Sequence, residues 1–218
     1  QHCIGTAILT REVVSTAQNP SEESDYVAGL VHDVGKIVMA WTFPDHFAEI
    51  NRIASDGLRD LSDIETEVLG IDHSELGALY LEQHRLPELM LQSARYHHCP
   101  QKAENYQAII ASVQVADLLM RNARIGFSGN YVEVTHEQCL DASGWSVLFP
   151  NHVDAENAIA RSSLERSLER LGVAGAVPGS RRSADSGQCH GCRALSRCGR
   201  PHQSRCDSLR PGLVVAAV

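Results

Sequence analysis

Apolar residues recur at intervals of three and four positions along most of the chain, from Cys3 to Leu171. That spacing is typical of amphipathic helices, because it keeps apolar side chains on one helical face. Alternation of apolar and polar residues, which would indicate a strand, is clear only in the short segment YVEV that begins at Tyr131. The pattern predicts an all-α domain over residues 1–175, followed by a tail at 176–218 where the periodicity is lost.

Capping residues and prolines mark helix starts and ends. Three starts combine an acceptor side chain with a carboxylate in the first turn. They are Pro20-Ser21-Glu22-Glu23, Ser62-x-x-Glu65 and Asp72-x-x-Glu75. A further helix is expected to begin at Pro87 and to end before Pro100, because proline fits a first turn but cannot continue a helix. His97 and His98 are therefore predicted to lie at a helix end.

The segment AGLVHDVGK places His32 beside Asp33 within an otherwise apolar run. We predict one continuous helix from about Glu22 to Trp41, with two different faces. The apolar face holds Val27, Leu30, Val31, Val34, Ile37, Val38 and Trp41. The opposite face holds Gly29, His32, Asp33 and Lys36. Each glycine in this helix costs about 1 kcal/mol relative to alanine, which indicates close packing or a ligand. The alternative is an ordinary surface pair of His and Asp.

Further candidate residues lie on three later segments. Asp117 falls on the apolar stripe of the helix YQAIIASVQVADLLM. That stripe is formed by Tyr106, Ile110, Val113 and Met120. A carboxylate that faces a core must be paired, capped or bound to metal, because bare burial costs several kcal/mol. A salt bridge or a helix cap is the alternative to a ligand role. His73 precedes Gly77 by one turn, and His97 and His98 are adjacent imidazoles at a helix end.

Composition and charge narrow the classes of partner. The 218 residues are 43% apolar, as in globular soluble proteins, and no apolar run is long enough to cross a bilayer. The formal net charge is −8, yet seven arginines and only two acidic residues lie beyond Gly179, so the preceding residues are even more acidic. We therefore expect no nucleic acid partner and no membrane partner. The scattered Cys3, Cys99 and Cys139 are typical of a reducing compartment, which predicts a cytoplasmic location.

The tail at 176–218 differs in composition from the rest of the chain. It is rich in Arg, Ser, Gly and Cys, lacks Lys and shows no apolar period, which favours disorder. Cys189-x-x-Cys192 has the spacing of zinc ligands, but Cys198 and Cys206 do not form a second short pair. A zinc site and translation in a wrong reading frame are the alternatives to a disordered tail.

Together the candidate residues resemble the ligand set of the HD superfamily of metal-dependent phosphohydrolases. They are His2, His32, Asp33, His73, His97, His98 and Asp117. More closely, the segments YVAGLVHDVGKIVMA, LGIDHSELGALYLEQHRLPE, ARYHHCP and VADLLMR are similar to the HDOD branch, a signalling-associated relative of the HD-GYP domains. The resemblance runs from about His2 to Arg124 and implies an HD-type helical bundle. Such a domain also has an upstream helical half, so with Gln1 in first place and no initiator Met we expect an N-terminal truncation.

The resemblance implies a metal centre and assigns its ligands. One ion in the superfamily is held by residues that match His2, His32, Asp33 and Asp117. A second ion, with Asp33 bridging, is held by residues that match His73, His97 and His98. Lys36 matches the lysine of the HD-x-G-K motif and is expected to neutralise a bound phosphate. In an active enzyme His32, Asp33 and Lys36 would be the catalytic residues. Mixed imidazole and carboxylate ligation favours one or two divalent transition metal ions, Fe, Mn or Zn.

One departure from the enzymatic pattern follows the pair of histidines. HD-GYP enzymes continue there with a Gly-rich segment that ends in Gly-Tyr-Pro, whereas this chain continues with CPQKAENYQ. We therefore expect a bacterial-type regulatory domain of signal transduction, whose partner is a signalling protein or a nucleotide-type small ligand. The alternative is a metal-dependent phosphohydrolase or phosphodiesterase acting on a nucleotide or cyclic dinucleotide. Catalytic activity and oligomeric state stay open at this point.

Overall fold

The computed structural model describes residues 1–17 and 22–150, and these residues form ten α-helices, a 3₁₀ turn at Pro100–Lys102 and no β-strand. The helices are α1 His2–Thr16, α2 Glu23–Val31, α3 Val34–Thr42, α4 Pro44–Ala54, α5 Leu61–Leu69, α6 His73–Gln83, α7 Glu88–Tyr96, α8 Gln107–Asn122, α9 His136–Leu140 and α10 Gly144–Leu148. The predicted all-α fold is confirmed for this part of the chain. The boundary near residue 175, the tail with its Cys-x-x-Cys motif, and Pro20 and Ser21 lie outside the described residues.

Capping explains where two of the central helices begin. The Asp72 side chain accepts a hydrogen bond from the backbone nitrogen of Glu75 at 2.9 Å, which confirms the predicted start of α6. In α5 the cap is Asp60, which accepts from the backbone nitrogen of Ser62 at 3.0 Å. Asp60 has the extended backbone that an N-cap requires. The predicted Ser62-x-x-Glu65 box is therefore wrong, and Glu65 has a different role.

The predicted continuous helix from Glu22 to Trp41 is also wrong, because the chain turns at His32 and Asp33 and forms α2 and α3. The backbone of Asp33, with φ −100° and ψ 14°, leaves the helical region, and Asp33 becomes the N-cap residue of α3. Adjacent side chains on a continuous helix point about 100° apart. The turn removes that restriction, so both side chains reach the same interior at 0% and 5% exposure.

Burial along α3 differs from the predicted apolar face. Ile37 is 69% exposed and Trp41 is 88% exposed, although both lie on that face. The opposite face turns inward instead, because Gly35 lets the backbone of α3 approach α6 closely. A Cβ at Gly35 would lie 1.8 Å from the carbonyl oxygen of His73, and one at Gly77 would lie 2.9 Å from the nitrogen of Gly35. The two glycines thus bring the α2–α3 turn next to the start of α6.

Two apolar clusters form most of the core. One joins α1 and α8 with α9 and α10, and Leu9 and Leu119 are among its fully buried members. The other joins α3, α4 and α5 through Met39, Ile50 and Ile64. These contacts hold α1, α8, α3 and α5 in place, and each of these helices carries or adjoins a polar residue of the interior.

The predicted stripe on α8 is confirmed in its central part. Ile110, Val113 and Met120 are fully buried, and Asp117 is buried among them at 4% exposure. Tyr106 is 44% exposed, because it is the N-cap residue of α8 and adopts a positive φ of 60°. Among the described residues, no helix has the length and apolar character needed to cross a membrane.

Candidate metal centre

Seven polar side chains from five places along the chain converge in the interior of the described structure. They are His2, His32, Asp33, His73, His97, His98 and Asp117. Five of them lie at helix ends: His2 opens α1, His32 and Asp33 cap α2 and α3, His73 opens α6, and His97 is the C-cap residue of α7. All residues that the sequence nominated as metal ligands are therefore brought together. Their role as ligands stays a prediction.

One group of donor atoms lies where α1 and α8 meet the α2–α3 turn. Ligand atoms of His2, His32 and Asp117 all lie within 4.8 Å of one another. Oδ1 of Asp117 is 2.9 Å from Nε2 of His2 and 3.8 Å from Nε2 of His32. Oδ2 of Asp33 is 3.4 Å from Nε2 of His32 and 4.0 Å from that of His2. We call this group, two imidazoles and two carboxylate oxygens, the first position.

A second group lies where α6 and the end of α7 meet the same turn. Ligand atoms of His73, His97 and His98 lie within 4.8 Å of one another. Nε2 of His73 is 3.1 Å from Nε2 of His98. Oδ1 of Asp33 completes the group, 3.4 Å from Nε2 of His73 and 3.7 Å from Nε2 of His97. We call this group the second position, and Asp33 turns one oxygen to each position.

The two carboxylates of the centre are held in their ionised form. Burial by itself would raise the pKa of Asp33, but the neighbouring His32 and Lys36 outweigh it and hold the pKa well below its usual range. Burial likewise opposes ionisation of Asp117, yet the hydrogen bond from His2 lowers its pKa below the ordinary value. Metal binding requires deprotonated ligands, so both carboxylates are ready to bind a cation at neutral pH.

Several buried nitrogen and oxygen atoms that could bind a metal ion lack a hydrogen-bond partner. Nε2 of His32, Nε2 of His97 and Oδ1 of Asp33 are buried and form no hydrogen bond in the described structure. An unpaired buried polar atom costs about 1–3 kcal/mol, so three in one place require compensation. A cation that accepts lone pairs from the three atoms would satisfy them together.

Hydrogen bonds on the far side of the rings aim these nitrogens inward. Nδ1 of His32 donates to the carbonyl oxygen of Gly29 at 2.8 Å, and Nδ1 of His97 donates to that of Ala94 at 2.9 Å. A carbonyl oxygen only accepts, so the proton of each neutral ring lies on Nδ1 and the lone pair on Nε2. Partners of this kind typically orient metal-binding imidazoles. The residues present therefore fit a bound transition metal ion.

Two histidines of the second position, His97 and His98, are kept neutral by their surroundings. Burial, followed by the neighbouring imidazole of His98, holds the pKa of His97 well below its ordinary value. Burial, followed by His73, lowers the pKa of His98 to about 4. At the first position, burial would lower the pKa of His32, but the carboxylate of Asp33 outweighs it and raises the value. His97 and His98 are thus uncharged at neutral pH, which is the form of imidazole that binds metal.

Lys36 lies at the edge of the centre. Its ammonium donates to Oδ2 of Asp33 at 2.7 Å and to the carbonyl oxygen of Ser128 at 2.9 Å. Oδ2 is the oxygen that Asp33 turns to the first position. Lys36 therefore supplies the positive charge nearest to that oxygen in the described structure, and its predicted role on a phosphate is not visible in these contacts.

Glu65 is a member of the site that the sequence reasoning missed. It is fully buried, and its Oε2 accepts hydrogen bonds from the backbone nitrogen of His73 at 2.8 Å and from Nδ1 of His73 at 2.6 Å. The signal was present, because Glu65 lies on the buried apolar face of α5 beside Leu61 and Ile64. The same criterion, a carboxylate on an apolar face, had singled out Asp117.

Comparison with known proteins supplies the family. Residues 1–100 match the family model of the HDOD domain. By this match, residues 1–100 resemble the HDOD domain. This segment contains six of the seven converging residues, while Asp117 lies beyond the matched range.

Three proteins similar to this chain are distant from it in sequence. A protein of Treponema pallidum (strain Nichols), itself uncharacterised, is 27% identical over 97 residues, which are 44% of this chain and 19% of that protein. An HDOD domain protein of unknown function from Geobacter sulfurreducens has a TM-score of 0.66 at 21% identity. The match covers 79% of this chain and 59% of the Geobacter chain. A candidate phosphohydrolase from Shewanella amazonensis SB2B has a TM-score of 0.56 at 19% identity, with the same two shares.

A third solved structure has the same fold. It is a candidate signal transduction protein from Marinobacter aquaeolei VT8, with a TM-score of 0.54 at 20% identity, covering 80% of this chain and 38% of that one. At these identities the solved structures show only that they share the fold of this chain. The chain spans less than two thirds of the length of each of these proteins.

Proposed function

We propose that this chain is a regulatory HDOD module of signal transduction whose His and Asp centre binds one or two divalent transition metal ions. The observation that carries the proposal is the burial of six of the seven candidate ligands, while His98 is partly exposed. The side chains of His2, Asp33 and Asp117 expose 6% of their surface or less, and those of His32 and His97 expose none. A phosphodiester has to reach the metal to be hydrolysed, and this arrangement offers it little surface. Enclosure suits an ion with a structural or sensory role.

The donor set favours Fe, Mn or Zn over magnesium. Five imidazoles accompany two carboxylates, and imidazole nitrogen suits transition metals, whereas magnesium prefers oxygen ligands. A bound ion would supply fixed positive charge between Asp33 and Asp117 and would connect α1, the α2–α3 turn, α6, α7 and α8. Occupancy of the centre would then determine how firmly these elements are joined. That link is the form of regulation we propose, in a cytoplasmic protein whose partner is a signalling protein or a nucleotide-type ligand.

A second candidate function is supported by a specific contact. The ammonium of Lys36 lies 2.7 Å from the oxygen of Asp33 that faces the first position, which is where a phosphate on a bound ion would need a counter-charge. In that case His32, Asp33 and Lys36 would act in a metal-dependent phosphohydrolase or phosphodiesterase. A bound ion supplies Lewis-acid polarisation of a phosphoryl oxygen in such enzymes. The Shewanella amazonensis relative, a candidate phosphohydrolase, has the same fold.

Metal analysis and a turnover assay distinguish the two functions. We expect the chain purified without chelator to carry one or two equivalents of Fe, Mn or Zn, and Asp33→Ala to lose them. Asp63→Ala, at an exposed position of α5, is the matched control and should keep its metal. We expect no turnover of cyclic dinucleotides, nucleoside monophosphates or a generic phosphodiester above the Asp33→Ala background. Metal-dependent turnover that disappears in both Asp33→Ala and Asp117→Ala would instead establish the phosphohydrolase.

A further inference from the structure

The partners of the imidazole Nδ1 atoms differ between the rings of the centre. Those of His32 and His97 donate to backbone carbonyl oxygens. Nδ1 of His73 instead lies 2.6 Å from a carboxylate, Oε2 of Glu65. A carboxylate acceptor withdraws the Nδ1 proton more strongly than a carbonyl does, so it raises the electron density and basicity of the opposite nitrogen. Among these three rings, His73 therefore has the strongest donor atom at Nε2.

The surroundings of Glu65 make the burial of its carboxylate energetically unfavourable. Glu65 is fully buried, and its second oxygen, Oε1, is buried without a hydrogen-bond partner. Within the described structure its ion-pair contact is with His73. A buried carboxylate without a cation is unfavourable by several kcal/mol. A cation bound at Nε2 of His73 would bring positive charge to Glu65 through the ring.

The second contact of Glu65 fixes the position of the ring. Oε2 also accepts from the backbone nitrogen of His73 at 2.8 Å, so one oxygen holds both the backbone and the ring of the same residue. This nitrogen belongs to the first turn of α6, where the helix has no internal acceptor for it. The contact therefore ties the orientation of the ring to the start of the helix.

We propose that Glu65 is a positioning residue that sets the metal affinity of the second position by orienting and polarising His73. The inference rests on the metal centre of the proposed function. Its effect is confined to one position, because Glu65 contacts His73 and none of the donors of the first position. Loss of the carboxylate should weaken binding at the second position by roughly 10–100-fold, the range seen when such partners of metal-bound histidines are removed. Binding at the first position should not change.

Titration of the metal-free full chain with Mn(II), followed by EPR, tests this inference. Free Mn(II) reports the affinity of each position, and a magnetically coupled pair forms only when both positions are filled. Glu65→Gln keeps the shape of the side chain and removes its charge, so it should retain the first binding event and lose the coupled pair at concentrations that fill the wild type. Glu65→Asp, which keeps the charge, should recover part of the second affinity. Glu67→Gln is the matched control, because it makes the same change on the exposed side of α5 and should behave as wild type.

The possible outcomes separate the inference from the proposed function. Equal second affinities in wild type, Glu65→Gln and Glu67→Gln would overturn the role of Glu65, and so would an equal loss at both positions, which indicates general damage to the fold. A wild type that binds Mn(II) at the first position alone would overturn the inference and leave a metal-binding module. A wild type that binds none would overturn the metal centre itself. Selective loss at the second position with partial recovery in Glu65→Asp supports the inference.

Discussion

Lys36 and the carboxylate of Asp33 form an ion pair that matters most when no metal is bound. The ammonium lies 2.7 Å from Oδ2, and the side chains are 15% and 6% exposed, so the pair is largely withdrawn from water. Removing one partner of a buried pair typically costs about 3–5 kcal/mol, because the other charge is left uncompensated. A metal ion at the first position would supply positive charge to the same oxygen. The ammonium of Lys36 and a metal ion can therefore each compensate the negative charge of the Asp33 carboxylate.

This alternative predicts how Lys36→Met behaves. In metal-free protein the substitution should lower the free energy of unfolding by about 3 kcal/mol. With saturating Mn(II) the loss should be much smaller, which urea unfolding with and without the ion can measure. Arg52→Met is the control, because it removes the cation of an exposed pair with Glu49 and should leave the free energy of unfolding nearly unchanged in either condition. An equal loss with and without Mn(II) would show that Lys36 and the ion do not compensate the same charge.

Among the helices, the packing of α3 on α6 is the contact that places the turn of His32 and Asp33 beside His73. It depends on backbone approach at Gly35, where a Cβ would meet the carbonyl oxygen of His73 at 1.8 Å and its carbonyl carbon at 2.8 Å. Backbone atoms cannot move aside as a flexible side chain can. The absence of a side chain at Gly35 is therefore required for this helix pair.

We expect Gly35→Ala to separate α3 from α6. The free energy of unfolding should fall by at least about 3 kcal/mol, the upper part of the range for overpacking, and Mn(II) binding at the second position should weaken because His73 is displaced. Gly5→Ala is the comparison: the new Cβ would meet the tip of the Met120 side chain at 2.1 Å, which can shift, so the loss should be smaller. Chemical denaturation and Mn(II) titration of both variants provide the measurement. Equal stabilities for the two variants would contradict this account of Gly35.

The whole described molecule is joined at the centre by residues from α1, the α2–α3 turn, α6, α7 and α8. These elements are far apart in the chain. His2 lies at the start of α1, whereas Asp117 lies in α8. A ligand that binds only the folded state stabilises it by mass action, by about 3 kcal/mol when its concentration is a hundred times its dissociation constant. Metal binding should therefore stabilise the molecule as a unit.

Removal of metal should lower the melting temperature of the full chain, and added Mn(II) should restore it. Differential scanning calorimetry after chelator treatment and after Mn(II) addition measures both changes. Asp33→Ala should show no response to either treatment, because Asp33 contributes an oxygen to each position. Asp63→Ala should respond as wild type does. A wild-type melting temperature that does not change with Mn(II) would contradict a metal centre at these residues. So would a rise in Asp33→Ala equal to that of the wild type.

Much of the architecture was accessible from local patterns. The periodicity predicted helices, Asp72 predicted the start of α6, and Pro100 predicted that α7 ends near His97 and His98. These signals are local, because capping and proline effects act within one turn. The break at His32 and Asp33 was missed, since residues 22–41 read as one periodic segment and its glycines were interpreted as a sign of close packing or a ligand rather than of a helix end.

Sequence by itself determined the helical class, the candidate metal ligands and the resemblance to the HDOD family, because periodicity, residue chemistry and motif spacing are properties of the chain. Tertiary structure alone decided which face of α3 is buried, since that depends on the close approach of Gly35 to α6 rather than on the apolar count. It also decided that Glu65 meets His73, a contact set by how α5 and the start of α6 fold against each other. A polar residue can be buried wherever other elements supply its partners, and the identity of those partners is known only when the chain is folded.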